Sequence, residues 1–236
     1  MVLPQPRLIH LVKHLFNEDD KISRMIVELL QAGKPRINFD EILSTARSIE
    51  KENAKNLAME TCLVMEYWKL MLPVRTKHDG SIQWSNRLNR PESREEYEIP
   101  GCITFAFEHL KSEGVWDWRS AVKDYLDKIK ESNQRIIIDI TEDIVRNAYL
   151  KRFVNKLILQ EACGQHNYLG NVDTLIVELK GGGIISPCVE YSLFSRKSFE
   201  KLIKGFSKTG PFYELNRALF VLELKGCEGE NSKSHA

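Results

Sequence analysis

The sequence predicts an α+β protein with a helical N-terminal part, a helical bridge and a C-terminal α/β part. Three observations support this class. Apolar residues early in the chain recur at helical spacing, and an Asp-Gly pair separates two apolar runs near residue 80. Beyond residue 133, short β-branched runs alternate with segments of helical pattern. Each element follows from its own local pattern.

The composition limits the range of partners. The 236 residues include 34 Lys and Arg against 33 Asp and Glu, a net charge of +1. Contact with nucleic acid would therefore depend on local clusters of cations. No apolar run approaches the roughly 18 residues of a membrane span, and "MVLPQPRLIHLVKHLF" lacks the features of a signal peptide. The five cysteines form no C-x-x-C pair. We expect a soluble cytoplasmic protein with reduced thiols and no membrane contact.

Three helices are predicted in the N-terminal part. The first has one apolar face and ends at "AGKP"; its face consists of Ile22, Met25, Ile26, Leu29 and Leu30. "NFDEILSTARS" predicts a short second helix with Asn38 as its N-cap. "ENAKNLAMETCLVMEYWKL" predicts a long third helix, with one face formed by Leu57, Thr61, Val64, Met65 and Trp68.

A cationic hairpin follows the third helix. In "KLMLPVRTKHDGSIQWSNRL" the pair Asp79-Gly80 lies between two apolar runs, which is a strong hairpin signal because glycine tolerates the positive φ of a tight turn. Pro73 favours an edge strand, since proline cannot donate to a ladder. Several cations surround the lone acid Asp79, and we therefore expect an anionic partner. The polar stretch "NRPESREEYEIPG" predicts a linker.

Three helices and a cationic hairpin, from about residue 18 to residue 90, resemble the winged helix-turn-helix DNA-binding proteins. In that family the third helix enters the major groove and the hairpin lies along the DNA backbone or minor groove. The resemblance implies that double-stranded DNA is contacted from the third helix by Lys51, Asn53, Lys55 and Asn56. From the hairpin it implies phosphate contacts by Arg75, Lys77, His78, Arg87 and Arg90.

Acidic residues on the same third helix keep a second interpretation open. Glu50, Glu52, Glu60 and Glu66 give this helix more acids than a dedicated DNA reader usually carries. A helix of this kind can also serve as a protein-docking module with a solvated charged face. The N-terminal region is therefore predicted to bind DNA, with protein docking as the alternative.

The bridge is predicted to consist of two helices. "CITFAFEHLKSEG" ends at Gly114, and "WDWRSAVKDYLDKIKESN" is capped near Asp117, with Trp116 and Trp118 packed against a neighbouring element. Beyond it, "RIIIDI", "VDTLIVELK", "IISPCVEYSLF" and "RALFVLELKG" predict strands, while "TEDIVRNAYLKRFVNKLILQEAC" and "SRKSFEKLIKGFSK" predict helices. This βαββαβ order is that of a ferredoxin-like domain. Its strands are apolar on both faces, so we expect a homodimer whose second subunit covers the open face of the sheet; the alternative cover is the helical bridge, with Trp116 and Trp118.

The predicted segmentation has four parts. Residues 1–92 form the winged helix, 93–132 the linker and bridge, 133–227 a dimerisation or ligand-sensing domain, and 228–236 a disordered tail. Together these favour a transcriptional regulator that acts as a homodimer, with a small-molecule effector as a further possible partner and with no cofactor and no bound metal. Catalysis is not expected.

Three other patterns suggest chemistry. Glu178-Leu179-Lys180, with an echo at Glu223, resembles the metal-binding core of PD-(D/E)xK nucleases, although no acid from an adjacent hairpin strand completes it. A nuclease is therefore one alternative function, and a non-catalytic adaptor is another. "KGGGIISP" predicts a hairpin turn rather than a phosphate loop, because it precedes a strand. Cys163 and His166 have near-ligand spacing, but no second pair completes a zinc site.

Overall fold

The computed structural model describes residues 2–76, 82–84, 96–148, 152–187 and 212–226. The chain is α+β and divides into two compact units, Met1–Ala121 together with Arg217–Ala236, and Val122–Asn216. The first unit thus includes the C-terminal segment of the chain, and the predicted boundaries at residues 92 and 133 stay a prediction. None of the helices in the described ranges combines the length and apolar character needed to cross a membrane.

The structure describes six helices and four strands in the N-terminal part of the chain. The helices are α1 (Gln5–Phe16), α2 (Asp20–Gln31), α3 (Phe39–Ile49), α4 (Ala54–Trp68), α5 (Gly101–Glu113) and α6 (Trp118–Lys128), the last of which continues into the second unit. The strands are β1 (Arg36–Asn38), β2 (Leu72–Thr76), β3 (Ile82–Trp84) and β4 (Glu96–Glu98). The three predicted N-terminal helices correspond to α2, α3 and α4, and the bridge helices to α5 and α6.

Local signals in the sequence explain where these helices begin and end. The Asp19 carboxylate accepts a hydrogen bond from the Ile22 amide at 2.8 Å and caps α2. Asn38 and Glu41 form a reciprocal capping box at the start of α3. Gly114 ends α5 in the left-handed conformation with φ 78°. The predicted caps at Asn38 and Gly114 are confirmed.

The first unit contains an antiparallel sheet with the strand order β1-β4-β2-β3. Val74 pairs with Trp84 across β2 and β3, which confirms the predicted hairpin, although Asp79-Gly80 lies outside the described residues. β2 is an inner strand in which Pro73 faces Tyr97 of β4, so the predicted edge position of Pro73 is wrong. β4 also lies within the stretch predicted as a linker.

The two bridge tryptophans hold the C-terminal segment of the first unit. Trp116 donates its indole N–H to the Ala218 carbonyl oxygen at 2.8 Å. Trp118 donates to Glu223 Oε1 at 3.1 Å, and its ring packs against Phe220. The predicted packing role of both tryptophans is confirmed. The predicted strand "RALFVLELKG" is wrong, because residues 217–220 form a turn that leads into helix α10 (Val221–Gly226).

The second unit has a different architecture from the predicted ferredoxin-like domain. Its described elements are α7 (Gln134–Asn147), β5 (Phe153–Asn155), α8 (Lys156–Gln165), α9 (Val172–Gly181), β6 (Ile185–Pro187) and β7 (Phe212–Leu215). The three strands form an antiparallel sheet with the order β5-β7-β6. The predicted strands "RIIIDI" and "VDTLIVELK" lie in α7 and α9. The long helix predicted from residue 141 to 163 is interrupted by β5. The βαββαβ assignment is therefore wrong, and the helix predicted at "SRKSFEKLIKGFSK" lies outside the described residues.

Burial within these helices shows why the strand assignments failed. α7 buries one face at helical spacing, made of Ile137, Ile140, Thr141 and Ile144. In α9, Leu175 and Leu179 are buried while Val177 is 67% exposed. A strand would have placed all three on one side. Apolar residues in this part of the chain thus follow the helical period.

The described elements of the two units follow one another in the same succession. The order is helix, strand, helix, helix, strand, strand: α2-β1-α3-α4-β2-β4 in the first unit and α7-β5-α8-α9-β6-β7 in the second. In both sheets the last strand lies between the first and the second, and the first unit adds β3 at its edge. In both units, too, the first strand ends in an asparagine that caps the following helix. One local topology therefore occurs twice in the chain.

Candidate nucleic-acid interface

The four residues predicted on the third helix lie together at the start of α4. Lys51, Asn53, Lys55 and Asn56 are all exposed. Asn53 is the N-cap residue, but its side chain makes no bond to the helix backbone. Instead, Asn53 Oδ1 accepts a hydrogen bond from Asn56 Nδ2 at 2.6 Å. The two amides are therefore held beside each other on the surface.

The charge around this helix start is positive. Glu50 Oε1 accepts from Lys21 Nζ at 2.7 Å, and this hydrogen bond raises the pKa of Lys21. Within the part of the chain that the structure describes, neither Lys51 nor Lys55 has a carboxylate at ion-pair distance. The exposed acid Glu52 lies in the same connection. The Glu50 charge is thus already balanced by Lys21, and the two lysines are available to an anionic partner.

A third cation was missed by the sequence analysis. Arg47 is exposed in the last turn of α3, four residues before Lys51, and makes no ion pair among the described residues. Because α3 ends at Ile49, no helical spacing connects Arg47 with Lys51 and Lys55, so the sequence carried no signal for Arg47. We call these three residues the cationic turn. The first amide groups of α4 add the partial positive charge of a helix N-terminus.

The structure describes the hairpin only in part. Arg75 lies opposite Gln83 in the register of β2 and β3. Lys77, His78, Arg87 and Arg90 lie outside the described residues, and so does the side chain of Arg75. Of the nine predicted contacts, the structure therefore brings together the four at the start of α4.

A narrow exposed stripe continues from the cationic turn along α4. Asn56, Glu60, Leu63 and Tyr67 recur at i, i+4, i+7 and i+11, which places them within an arc of about 60° at 3.6 residues per turn. Leu63 is 57% exposed and Tyr67 is 59% exposed. The guanidinium carbon of Arg217 lies 4.4 Å from the centroid of the Tyr67 ring. We call these four residues the α4 stripe. The sequence had indicated roles for Asn56 and Glu60, but not for Leu63 and Tyr67.

The equivalent helix of the second unit begins with a neutralised charge. Asn171 caps α9 by accepting from the Asp173 amide at 2.7 Å. Both carboxylate oxygens of Asp173 accept from Lys156 Nζ, at 2.7 and 2.8 Å. The start of α9 thus has no unpaired cation among the described residues. The two helix starts share a topology but differ in charge.

The patterns that suggested chemistry occupy other settings than predicted. Glu178 and Lys180 lie on α9, where two positions span about 200°, so they do not share the strand face that the nuclease comparison requires. Gly181-Gly182-Gly183 ends this helix and leads into β6, with Gly183 at φ 73°, so the predicted hairpin turn is wrong. His166 Nε2 lies 2.6 Å from Asp143 Oδ2, and burial raises the pKa of Cys163. Among the described residues, no group of three His, Cys, Asp or Glu side chains could hold a metal ion.

Comparison with known proteins gives one match. A protein-family model matches residues 10–225, and the match spans both compact units. No curated protein and no solved structure matches the chain.

Proposed function

We propose that this chain, which belongs to the family whose model matches residues 10–225, binds double-stranded DNA through the cationic turn and the start of α4. The observation that carries the proposal is a set of three exposed cations, in the last turn of α3, just before α4 and in the first turn of α4, which make no ion pair among the described residues. Phosphates bind Lys and Arg side chains and helix N-termini, and such contacts supply most of the affinity of DNA-binding proteins.

The succession of elements supports the same proposal. Helix, strand, helix, helix and a strand pair resembles a winged helix, with α4 as the recognition helix and β2–β3 as the wing. In that arrangement Asn53 and Asn56 face base edges. The phosphate contacts come from Arg75, Lys77 and His78 in the wing, with Arg87 and Arg90 at its base.

Two units of one topology change the argument for a homodimer. That argument relied on predicted strands that are apolar on both faces. Two of these predicted strands lie instead in helices α7 and α9, each of which buries one face. The chain itself contains two helices, α4 and α9, that each occupy the place of the third helix of a winged helix. Transcriptional regulation by a homodimer with a small-molecule effector stays a prediction, and the oligomeric state is to be measured together with DNA binding.

The test compares two variants with the same loss of charge. Arg47→Ala/Lys51→Ala/Lys55→Ala removes the cationic turn. Its matched control, Lys13→Ala/Lys34→Ala/Lys111→Ala, removes lysines that are each paired with a carboxylate. Circular dichroism confirms that both variants are folded, and fluorescence anisotropy measures the affinity for a labelled duplex.

Removal of the cationic turn should weaken binding on the order of 100-fold at about 0.15 M salt, because three phosphate contacts no longer release counterions. The control should bind within a few-fold of the wild type. Equal losses in the two variants, or a wild-type protein without affinity for duplex DNA at low salt, would contradict the proposal.

A further inference from the structure

The α4 stripe adds base-reading chemistry to the proposed interface. Its residues begin in the first turn of α4, beside Lys55, and extend to the last turn. Eleven residues at 1.5 Å per residue give a length of about 16 Å, which matches roughly five base pairs at 3.4 Å each. The stripe is therefore long enough to follow the edges of several consecutive base pairs.

We infer, on the basis of the proposed function, that this stripe reads base edges in the major groove and that Leu63 selects thymine. Thymine presents a C5-methyl group in the major groove, and apolar side chains contact it. Leu63 is the exposed aliphatic side chain at the centre of the stripe, 57% exposed to solvent. The amide of Asn56 suits adenine, the base that pairs with thymine.

Glu60 supplies discrimination rather than affinity. A carboxylate close to DNA phosphates is repelled, so its presence on the stripe weakens binding to most sequences. Cytosine offsets this cost, because its N4 amino group donates to a carboxylate in the major groove. Glu60 therefore disfavours sites that lack a cytosine at its position.

The charges at the two ends of the stripe favour DNA over a protein as its partner. The cationic turn lies at the start of α4, and the Arg217 guanidinium lies over Tyr67 at the other end. Cations at both ends of the stripe suit a ligand whose two backbones carry negative charge on either side of the bases.

The experiment isolates the thymine methyl group. Selection from a random duplex pool with the wild-type protein gives the preferred site, and each thymine of that site is then replaced by deoxyuridine, which lacks only the methyl group. The variants are Leu63→Ala and, as a matched control, Val177→Ala, which shortens an exposed aliphatic side chain on α9.

The wild-type protein and the Val177→Ala control should lose about fourfold in affinity at one deoxyuridine position, which corresponds to one buried methyl group. Leu63→Ala should bind the thymine and deoxyuridine duplexes equally. Glu60→Gln should bind more tightly overall and lose its preference for cytosine at one position.

The outcomes separate the two proposals. A wild-type protein that binds no duplex at low salt overturns both. A wild-type protein that binds DNA, with Leu63→Ala as sensitive to deoxyuridine as the wild type, overturns only the base-reading role of the stripe.

Discussion

Asn38 and Asn155 occupy equivalent positions in the two units. Each is the last residue of the first strand, and each side chain accepts a hydrogen bond from the amide three residues later, at 2.9 Å from Glu41 and at 3.0 Å from Ile158. An asparagine suits both roles, because its backbone remains extended in the strand while its side chain caps the helix. The shared cap shows the repeat of one topology at the level of single residues.

Loss of these caps should destabilise the protein unequally. Asn38→Ala should cost about 1 kcal/mol, the usual cost of losing an N-cap. Asn155 is fully buried, so Asn155→Ala should cost more, roughly 2–3 kcal/mol, because the Ile158 amide is left without a partner and away from water. Urea unfolding followed by circular dichroism measures both, and equal costs would contradict this account. Asn38→Asp should retain most of the stability.

A buried ion pair should stabilise the second unit only while both partners are present. Arg152 Nε donates to Glu214 Oε1 at 2.6 Å, and Glu214 is fully buried on the central strand β7. Arg152→Met should lower the free energy of unfolding by roughly 3–5 kcal/mol, because a buried carboxylate loses its counter-charge. The double variant Arg152→Met/Glu214→Gln should recover part of the loss. Urea unfolding measures both; a double variant that is less stable than the single one would refute the argument.

Glu178 should make the stability of the protein depend on pH. Burial, then the charge of Glu131, raise the pKa of Glu178, and a hydrogen bond to Glu131 acts in the same direction. The folded state therefore favours protonated Glu178, so the free energy of unfolding should fall as pH rises from 4.5 through the raised pKa. The pKa of Glu131 is lowered, chiefly by the Asn133 backbone amide, so its stabilising effect is lost below that range.

The variant Glu178→Gln isolates this effect. Glutamine resembles the protonated carboxyl and does not titrate, so the fall in stability above pH 4.5 should diminish. Thermal unfolding at several pH values compares the variant with the wild-type protein. Parallel curves above pH 4.5 would show that Glu178 does not cause the dependence.

Three cysteines should resist alkylation in the folded protein. Cys62, Cys102 and Cys163 are buried, and burial raises the pKa of Cys102 and of Cys163. Since the thiolate is the reactive form, iodoacetamide should modify these residues only when the protein opens. Peptide mass spectrometry after short labelling, with and without urea, identifies the sites. Native labelling of Cys102 at the rate seen in urea would contradict its burial.

The sequence predicted α2 and α3 from local signals, a one-sided apolar face or a local cap, whereas α4 has no side-chain cap and α1 was not predicted. Ile22 to Leu30 and the Asn38 cap are examples. The hairpin was predicted from Asp79-Gly80. The strands β1 and β4 were not, because three-residue strands show no alternation and are defined by their pairing across the chain.

The C-terminal part failed for a different reason. Three consecutive isoleucines suit a buried strand as well as a helix, and only the spacing from Ile137 to Ile144 distinguishes them. The repeated topology was not evident from the sequence either, because the strands β5 and β6 are only three residues long. At the candidate site, Lys51 and Lys55 were predicted as DNA contacts from their residue type. The exposure of Arg47 and Leu63 became evident only from the packing of α3 and α4.

The salt dependence of DNA binding tests the central claim most directly. The affinities of the wild-type protein and of Arg47→Ala/Lys51→Ala/Lys55→Ala for one duplex are measured by anisotropy over a range of salt concentrations. The account predicts that log affinity falls linearly with log salt, and that the variant has a slope shallower by about 0.9 for each lost phosphate contact. Identical slopes for the two proteins would show that the cationic turn does not contact DNA.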